Sequence, residues 1–304
     1  MLFRKTKKAL AEGHDPVTNG KLVNKLEQNI ALLQSVFCDV DIMQYRMVAA
    51  SIHDKPMNMC FVYSDGVVNS EIIDEHILRP LMGANIVAAS SDLLEYLMSR
   101  VLQINGIEKV HALPDIAKSL AYGDSLLLVD GFAEAILLDT KQFTTRSIAE
   151  PDGEKIITGP REGFSESLMQ NLSMVRRKLR TSDLKFKFLS KGTRSNTQLC
   201  VVYMDSLIKR EILEELYRRL EKIDIDAILD ANYITELIRD NTWSVFRTTG
   251  YTERPDVIAG KLLEGRIAIF VDGTPVVLTV PYLFIENFQS NEDYYLSLDR
   301  KSVV

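Results

Sequence analysis

The sequence predicts an α/β protein of two related subdomains, each a small mixed β-sheet packed with helices. Three observations predict it. One half-chain pattern is written twice: Cys60, Val62, Tyr63, Asp65, Glu71 and Ile72 recur as Cys200, Val202, Tyr203, Asp205, Glu211 and Ile212, 140 residues on. Gly123 and Val129, Asp130, Gly131 recur as Gly265 and Val271, Asp272, Gly273, now 142 apart, as do Leu26, Gln28 and Asn29 with Leu168, Gln170 and Asn171. A unit of that length is a duplicated domain rather than a solenoid repeat. Within each copy, short apolar runs alternate with stretches of helical periodicity, the order that builds α/β layers. Finally, Pro151, Gly153, Gly159, Pro160 and Gly163 gather between the copies. This divides the chain into a flexible lead-in (1–20), a first subdomain (21–147), a linker (148–163) and a second subdomain (164–304).

In the first copy, Leu22, Leu26, Ile30, Leu33 and Phe37 step by three or four and predict an amphipathic helix over 21–37. Residues 42–51 and the run MCFVY at 59–63 read as strands, the second closed by the turn residues Ser64, Asp65 and Gly66. Helices follow over 71–81 and 92–102; Glu71, Asp74 and Glu75 suit the positive end of the first helix dipole. A short strand at 109–113 leads to a helix opened by Pro114, whose missing N–H is harmless there, and stopped at Gly123. Residues 125–129 and 135–138, around Asp130 and Gly131, predict a hairpin with more than a two-residue loop.

The second copy repeats the order: helix 164–179, strands 184–189 and 199–203, helices 212–220 and 233–238, a strand at 243–246, and a helix from Pro255 to Gly265. A hairpin of 267–271 and 276–280 closes it around Asp272 and Gly273.

With 304 residues, 46% hydrophobic and 26% charged, the chain can fill two cores. A net charge of −6 argues against a nucleic acid partner, for which a basic face is needed. Three cysteines without close spacing fit a reduced, intracellular protein. No run approaches the roughly 18 apolar residues of a membrane helix, and no apolar signal core follows the basic start. There is no G-x-G-x-x-G or P-loop cradle and no G-x-S-x-G elbow; His14, His53, His76 and His111 are scattered. No cofactor, metal site or catalytic residue is therefore expected.

Three features remain as candidates. The two Asp–Gly pairs read as turns, because both copies carry them. Gly159, Pro160, Arg161, Glu162, Gly163 and Phe164 form a structural motif before a helix, in which Arg161 and Glu162 are candidate interdomain or anion contacts. Arg176, Arg177, Lys178, Arg180, Lys185 and Lys187 make a candidate basic interface. They would face anionic lipid or an acidic partner, or else form a solvated helix face with a lysine-guarded edge strand.

From Gly159 to Phe164, and again at Thr252, Glu253, Arg254, Pro255 and Asp256, through Gly260–Arg266 and Val271–Pro275, to Pro281–Ser290, the chain resembles one family. It is similar to the N-terminal soluble region of the A subunit of bacterial spore germinant receptors, the GerA family. The resemblance implies a non-enzymatic sensory and assembly domain, followed in the full protein by a membrane domain. It implies residence at the spore inner membrane, this part on the cytoplasmic (core) side, and B and C subunits as partners. Self-association and a small-molecule nutrient in the cleft between the copies are further expectations, and an unrecognised enzyme using Arg161 and Glu162 is the third reading.

Overall fold

The structure, a computed structural model, describes residues 20–52, 55–83, 85–86, 93–142, 160, 162–239, 248–283 and 286. Residues 1–19 of the lead-in, Gly159, Arg161, most of the linker and the strand expected at 243–246 lie outside them.

The first half runs α1 (Leu26–Val36), β1 (Met43–Ile52), β2 (Lys55–Ser64), α2 (70–83), β3 (Asn85–Ile86), α3 (93–101), β4 (Ile107–Val110), α4 (Leu113–Tyr122), β5 (Ser125–Val129) and β6 (Ala135–Leu138). The second runs α5 (Leu168–Lys178), β7 (Leu184–Lys191), β8 (Thr197–Met204), α6 (Arg210–Glu221), α7 (Ala231–Leu237), β9 (Gly250–Thr252), α8 (Pro255–Leu263), β10 (Ile267–Val271) and β11 (Val277–Val280). Strand order is β3-β1-β2-β5-β6-β4 in one sheet and β7-β8-β10-β11-β9 in the other. Leaving out β3, the two orders coincide strand for strand, as duplication requires. Both predicted hairpins are present.

Parallel pairing within the named strands is confined to Ser51–Ile52 against Asn85–Ile86; the second sheet is antiparallel throughout. The mixed character read from the strand–helix alternation is thus carried by β3, because the helices return the chain to the far edge of a meander instead of crossing between parallel neighbours. Strand β9, absent from the expectation, stands where β4 stands in the first half.

The central strands are apolar on both faces, and each face meets a different core. Cys60, Val62, Leu126 and Leu128 turn one way; Met59, Phe61, Leu127 and Val129 turn the other. Cys200, Val202, Ala268 and Phe270 face inward in the second sheet, with Leu199, Val201, Ile267 and Ile269 opposite. Helices α2 and α3 cover one outer face, and α6 and α7 the other. Between the sheets lie α1, α4, α5 and α8, whose apolar stripes join both halves in one continuous cluster. Burial on this scale, at about 25 cal/mol per Å2 of apolar surface, ties the halves together far more firmly than a polar hinge would.

Both first helices start later than their periodicity suggests, at Leu26 rather than 21 and at Leu168 rather than 164. The cause is remote. Asp130 Oδ1 accepts from the Leu26 N–H and Asp272 Oδ1 from the Leu168 N–H, each at 3.2 Å. Residues 21 and 22 instead pair with 111 and 112. Helices α2 and α3 each contain a π-helical turn, Ile73–Leu78 and Leu97–Val101, which their apolar spacing did not announce.

Candidate functional site

The duplicated residues build the clamp just described. Asn29 and Asn171 are buried, and each trades two hydrogen bonds with a backbone six residues upstream, at Val23 and Ser165. The N–H groups of Gly131 and Gly273 donate to the carbonyls of Asn24 and Glu166, both at 2.9 Å. These glycines have φ of 87° and 86°, where a side chain is strained although space is open around them. The Asp–Gly pairs therefore make turns that also hold a helix start.

The six-residue string before α5 packs on the string before α8. The Phe164 N–H donates to the Glu253 carbonyl at 2.8 Å, and the Phe164 ring meets Phe270 edge-on at 5.5 Å. Gly163 is buried. Arg254, 1% exposed, pairs with Asp256 at 2.8 Å and reaches the Pro160 carbonyl at 3.4 Å. Glu162 pairs with Arg177 and, at 3.1 Å, with Lys178. That contact stays inside the second half, where it neutralises the end of α5, instead of bridging the halves. Burial pushes the Glu162 carboxyl up, but hydrogen bonds from Lys178 and Arg177 outweigh it and leave the pKa below the usual glutamate value.

The basic run is split: Arg176 and Lys185 are buried, Arg177, Lys178 and Lys187 are half-buried, and Arg180 is exposed. Arg176 is fully buried; its Nη1 donates to the Thr181 carbonyl at 2.8 Å and its guanidinium stands 5.0 Å from the Phe186 ring. Burial alone brings its pKa down to about 10. Lys185 is 4% exposed. The open edge of β7, expected to be guarded by solvated lysines, is covered by the loop after α1. The Asp41 N–H donates to the Phe186 carbonyl at 2.9 Å and the Phe186 N–H to the Asp39 carbonyl at 3.0 Å. Lys187 pairs with Asp39 at 3.1 Å and Asp41 at 3.3 Å. Arg180, the exposed member, lies 3.7 Å over the Tyr122 ring of the first half. Lysine and arginine thus line a seam between the halves. Asp39 and Asp41 sit some 146 residues away in the chain, so their part in it left no local signal.

A second charged cluster lies where the described chain ends. Glu286 is buried between Lys261, at 2.7 Å, and Arg266; Arg266 also pairs with Glu264 at 2.9 Å. Burial lowers the Lys261 pKa, and Arg266 adds to this against the opposing pull of Glu286. Among the described residues no group of three or more His, Cys, Asp or Glu is placed to hold a metal ion, and no helix is long and apolar enough to cross a membrane.

Comparison with known proteins places this architecture. The family model described as Bacillus/Clostridium GerA spore germination protein matches residues 31–304. Spore germination protein KA of Bacillus subtilis (strain 168) is 39% identical over 243 residues, 80% of this chain and 44% of that protein. The membrane protein YfkQ of the same organism is 37% identical over 290 residues, 95% of this chain and 54% of its own length. The chain spans about half the length of these relatives. The crystal structure of the N-terminal domain of the A subunit of the Bacillus megaterium spore germinant receptor GerK3 superposes with a TM-score of 0.69 at 32% identity, covering 88% of this chain and 99% of that one. On the family model and on these relatives together, the chain belongs to the GerA family of spore germination proteins.

Proposed function

We propose that this chain is the N-terminal domain of a germinant-receptor A subunit. In this reading it couples and assembles the receptor at the spore inner membrane, on the core side, with B and C subunits as partners. The observation that carries this reading is the buried Lys261–Glu286–Arg266 cluster. The matching GerK3 structure is the N-terminal domain of an A subunit, so in this reading the segment that carries Glu286 leads on to the rest of the subunit. A carboxylate on that segment is gripped by α8 and by the residue before β10, and both pack into the core shared by the two halves. Movement of the segment would therefore drag on both sheets, which is what a coupling element needs.

The test is Glu286→Gln in a full-length A subunit in spores, scored by nutrient-triggered loss of optical density and by receptor abundance. Normal abundance with lost response supports coupling; loss of the receptor supports an assembly role. An unchanged response at unchanged abundance overturns both.

A second reading, a nutrient-binding module, is favoured by one cleft of about 480 Å3 at the seam. Glu108, Asp115, His111, Lys118, Tyr122 and Arg180 line it, offering both charge signs to a zwitterion. A thermal-shift series with amino acids, sugars and nucleosides tests it, since a ligand of the folded state raises Tm by mass action.

A further inference from the structure

The loop covering β7 carries a thiol aimed at a buried amine. Cys38 is exposed, whereas Cys60 and Cys200 are buried. Lys185 is 4% exposed, and its Nζ lies 3.7 Å from Cys38 Sγ. Among the described residues no carboxylate or carbonyl takes a hydrogen bond from this ammonium, although Lys187, two positions on, holds two aspartates. A buried amine with only a weakly accepting thiol beside it is costly to keep. The thiol is also held in place. Asp39, next in the chain, has a left-handed φ of 58°, and its carbonyl accepts from Phe186, the neighbour of Lys185.

We propose that Cys38 and Lys185 are a cross-linking pair, which hydrogen peroxide converts into a covalent sulfur–nitrogen bond between the two halves. Peroxide first transfers one oxygen to the thiol, giving Cys38–SOH and water. The lone pair of the neutral Lys185 amine then attacks the sulfur, and the N–H proton it gives up joins the departing hydroxyl. The S–OH bond breaks, a second water leaves, and Sγ–Nζ is joined. Two electrons pass from the protein to peroxide, and the chain loses two hydrogens in all. Reaction is confined to Cys38 by access: it alone of the three thiols is open to solvent, and burial pushes the Cys60 thiol up to about 11 and the Cys200 thiol well above its usual value. The waiting amine competes with further oxidation of the sulfenic acid.

The experiment is peroxide treatment of the purified folded chain, followed by intact mass and peptide mapping. The expected product is about two hydrogens lighter, contains a linked Cys38–Lys185 peptide, melts higher than the untreated chain and reverts with dithiothreitol. Cys38→Ser abolishes all of these, and Lys185→Arg gives oxygen adducts on Cys38 instead. A parent chain that only accumulates one to three oxygens on Cys38, or does not react there, overturns the proposal without recourse to either variant.

Discussion

Asp272 accepts the Leu168 N–H at 3.2 Å across 104 residues of chain, and Asp130 does the same for Leu26 at the same distance. A helix start has N–H groups with no partner inside the helix, usually satisfied by the residue just before it. Here Lys25 and Ser167 hold those positions and give no side-chain cap. The hairpin turn supplies the cap from a distance, so closing the hairpin and starting the helix become one event. Asp272→Ala and Asp130→Ala should each cost about 1 kcal/mol, the usual loss of a cap, with Asn retaining most of it. Urea denaturation measures this; alanine variants as stable as the parent would leave the clamp without energetic weight.

Arg176 should behave oppositely to a surface cation. Its Nε and Nη2 hydrogens find no acceptor among the described residues, and no carboxylate balances its charge there. Replacing a buried, incompletely paired ion by an apolar side chain of similar size is often neutral or stabilising, by about 1–4 kcal/mol. Arg176→Met should therefore leave Tm unchanged or raise it, whereas Arg176→Ala, which opens a cavity, should lower it by the equivalent of about 2–5 kcal/mol.

Most of the architecture was legible because it rests on local pattern. Short apolar runs bounded by turn residues, such as 125–129 and 267–271, read as buried strands; Gly123 caps its helix, and the helix before Gly265 ends two residues earlier, at Leu263. The repeat foretold that the halves would match. What stayed hidden is set by contacts distant in sequence. The start of α1 depends on Asp130, and the role of Lys187 depends on Asp39 and Asp41. The basic run stayed open between a partner-facing patch and a solvated face for the same reason: charge count along a segment cannot tell either from a seam whose acids come from elsewhere. Glu286 lay inside a string used for the family resemblance, yet only the fold brings Lys261 and Arg266 around it.

Glu162 should give the chain an acid-labile contribution. Its carboxyl is held below the usual value by Lys178 and Arg177, so the folded state keeps the ionised form to lower pH than the unfolded state does. The stabilisation is complete above the ordinary glutamate pKa of about 4.3 and disappears as pH falls through the depressed folded value. The side chains of all three keep about a fifth of their surface in solvent, so the effect should stay near 1 kcal/mol or below. Melting curves of the parent and Glu162→Gln should differ at pH 6 and converge toward pH 3.

The Lys261–Glu286–Arg266 cluster should show the largest single effect. Glu286→Gln strips a carboxylate from two buried cations, and breaking a buried pair from one side costs about 3–5 kcal/mol. Arg266 keeps Glu264, but that acid lies on the exposed side. Replacing Lys261, Arg266 and Glu286 together by Met, Met and Leu removes all three charges and should recover most of the loss. Non-additivity of that size would show the three acting as a unit. Alkaline titration supplies an independent check. Because burial and Arg266 lower the Lys261 pKa, the unfolded chain binds more protons between the depressed value and the free lysine value of about 10.4. Stability from this group therefore rises with pH across that window, and Lys261→Met should flatten the rise. A slope identical in parent and variant would mean that Lys261 is as solvated in the folded chain as in the unfolded one.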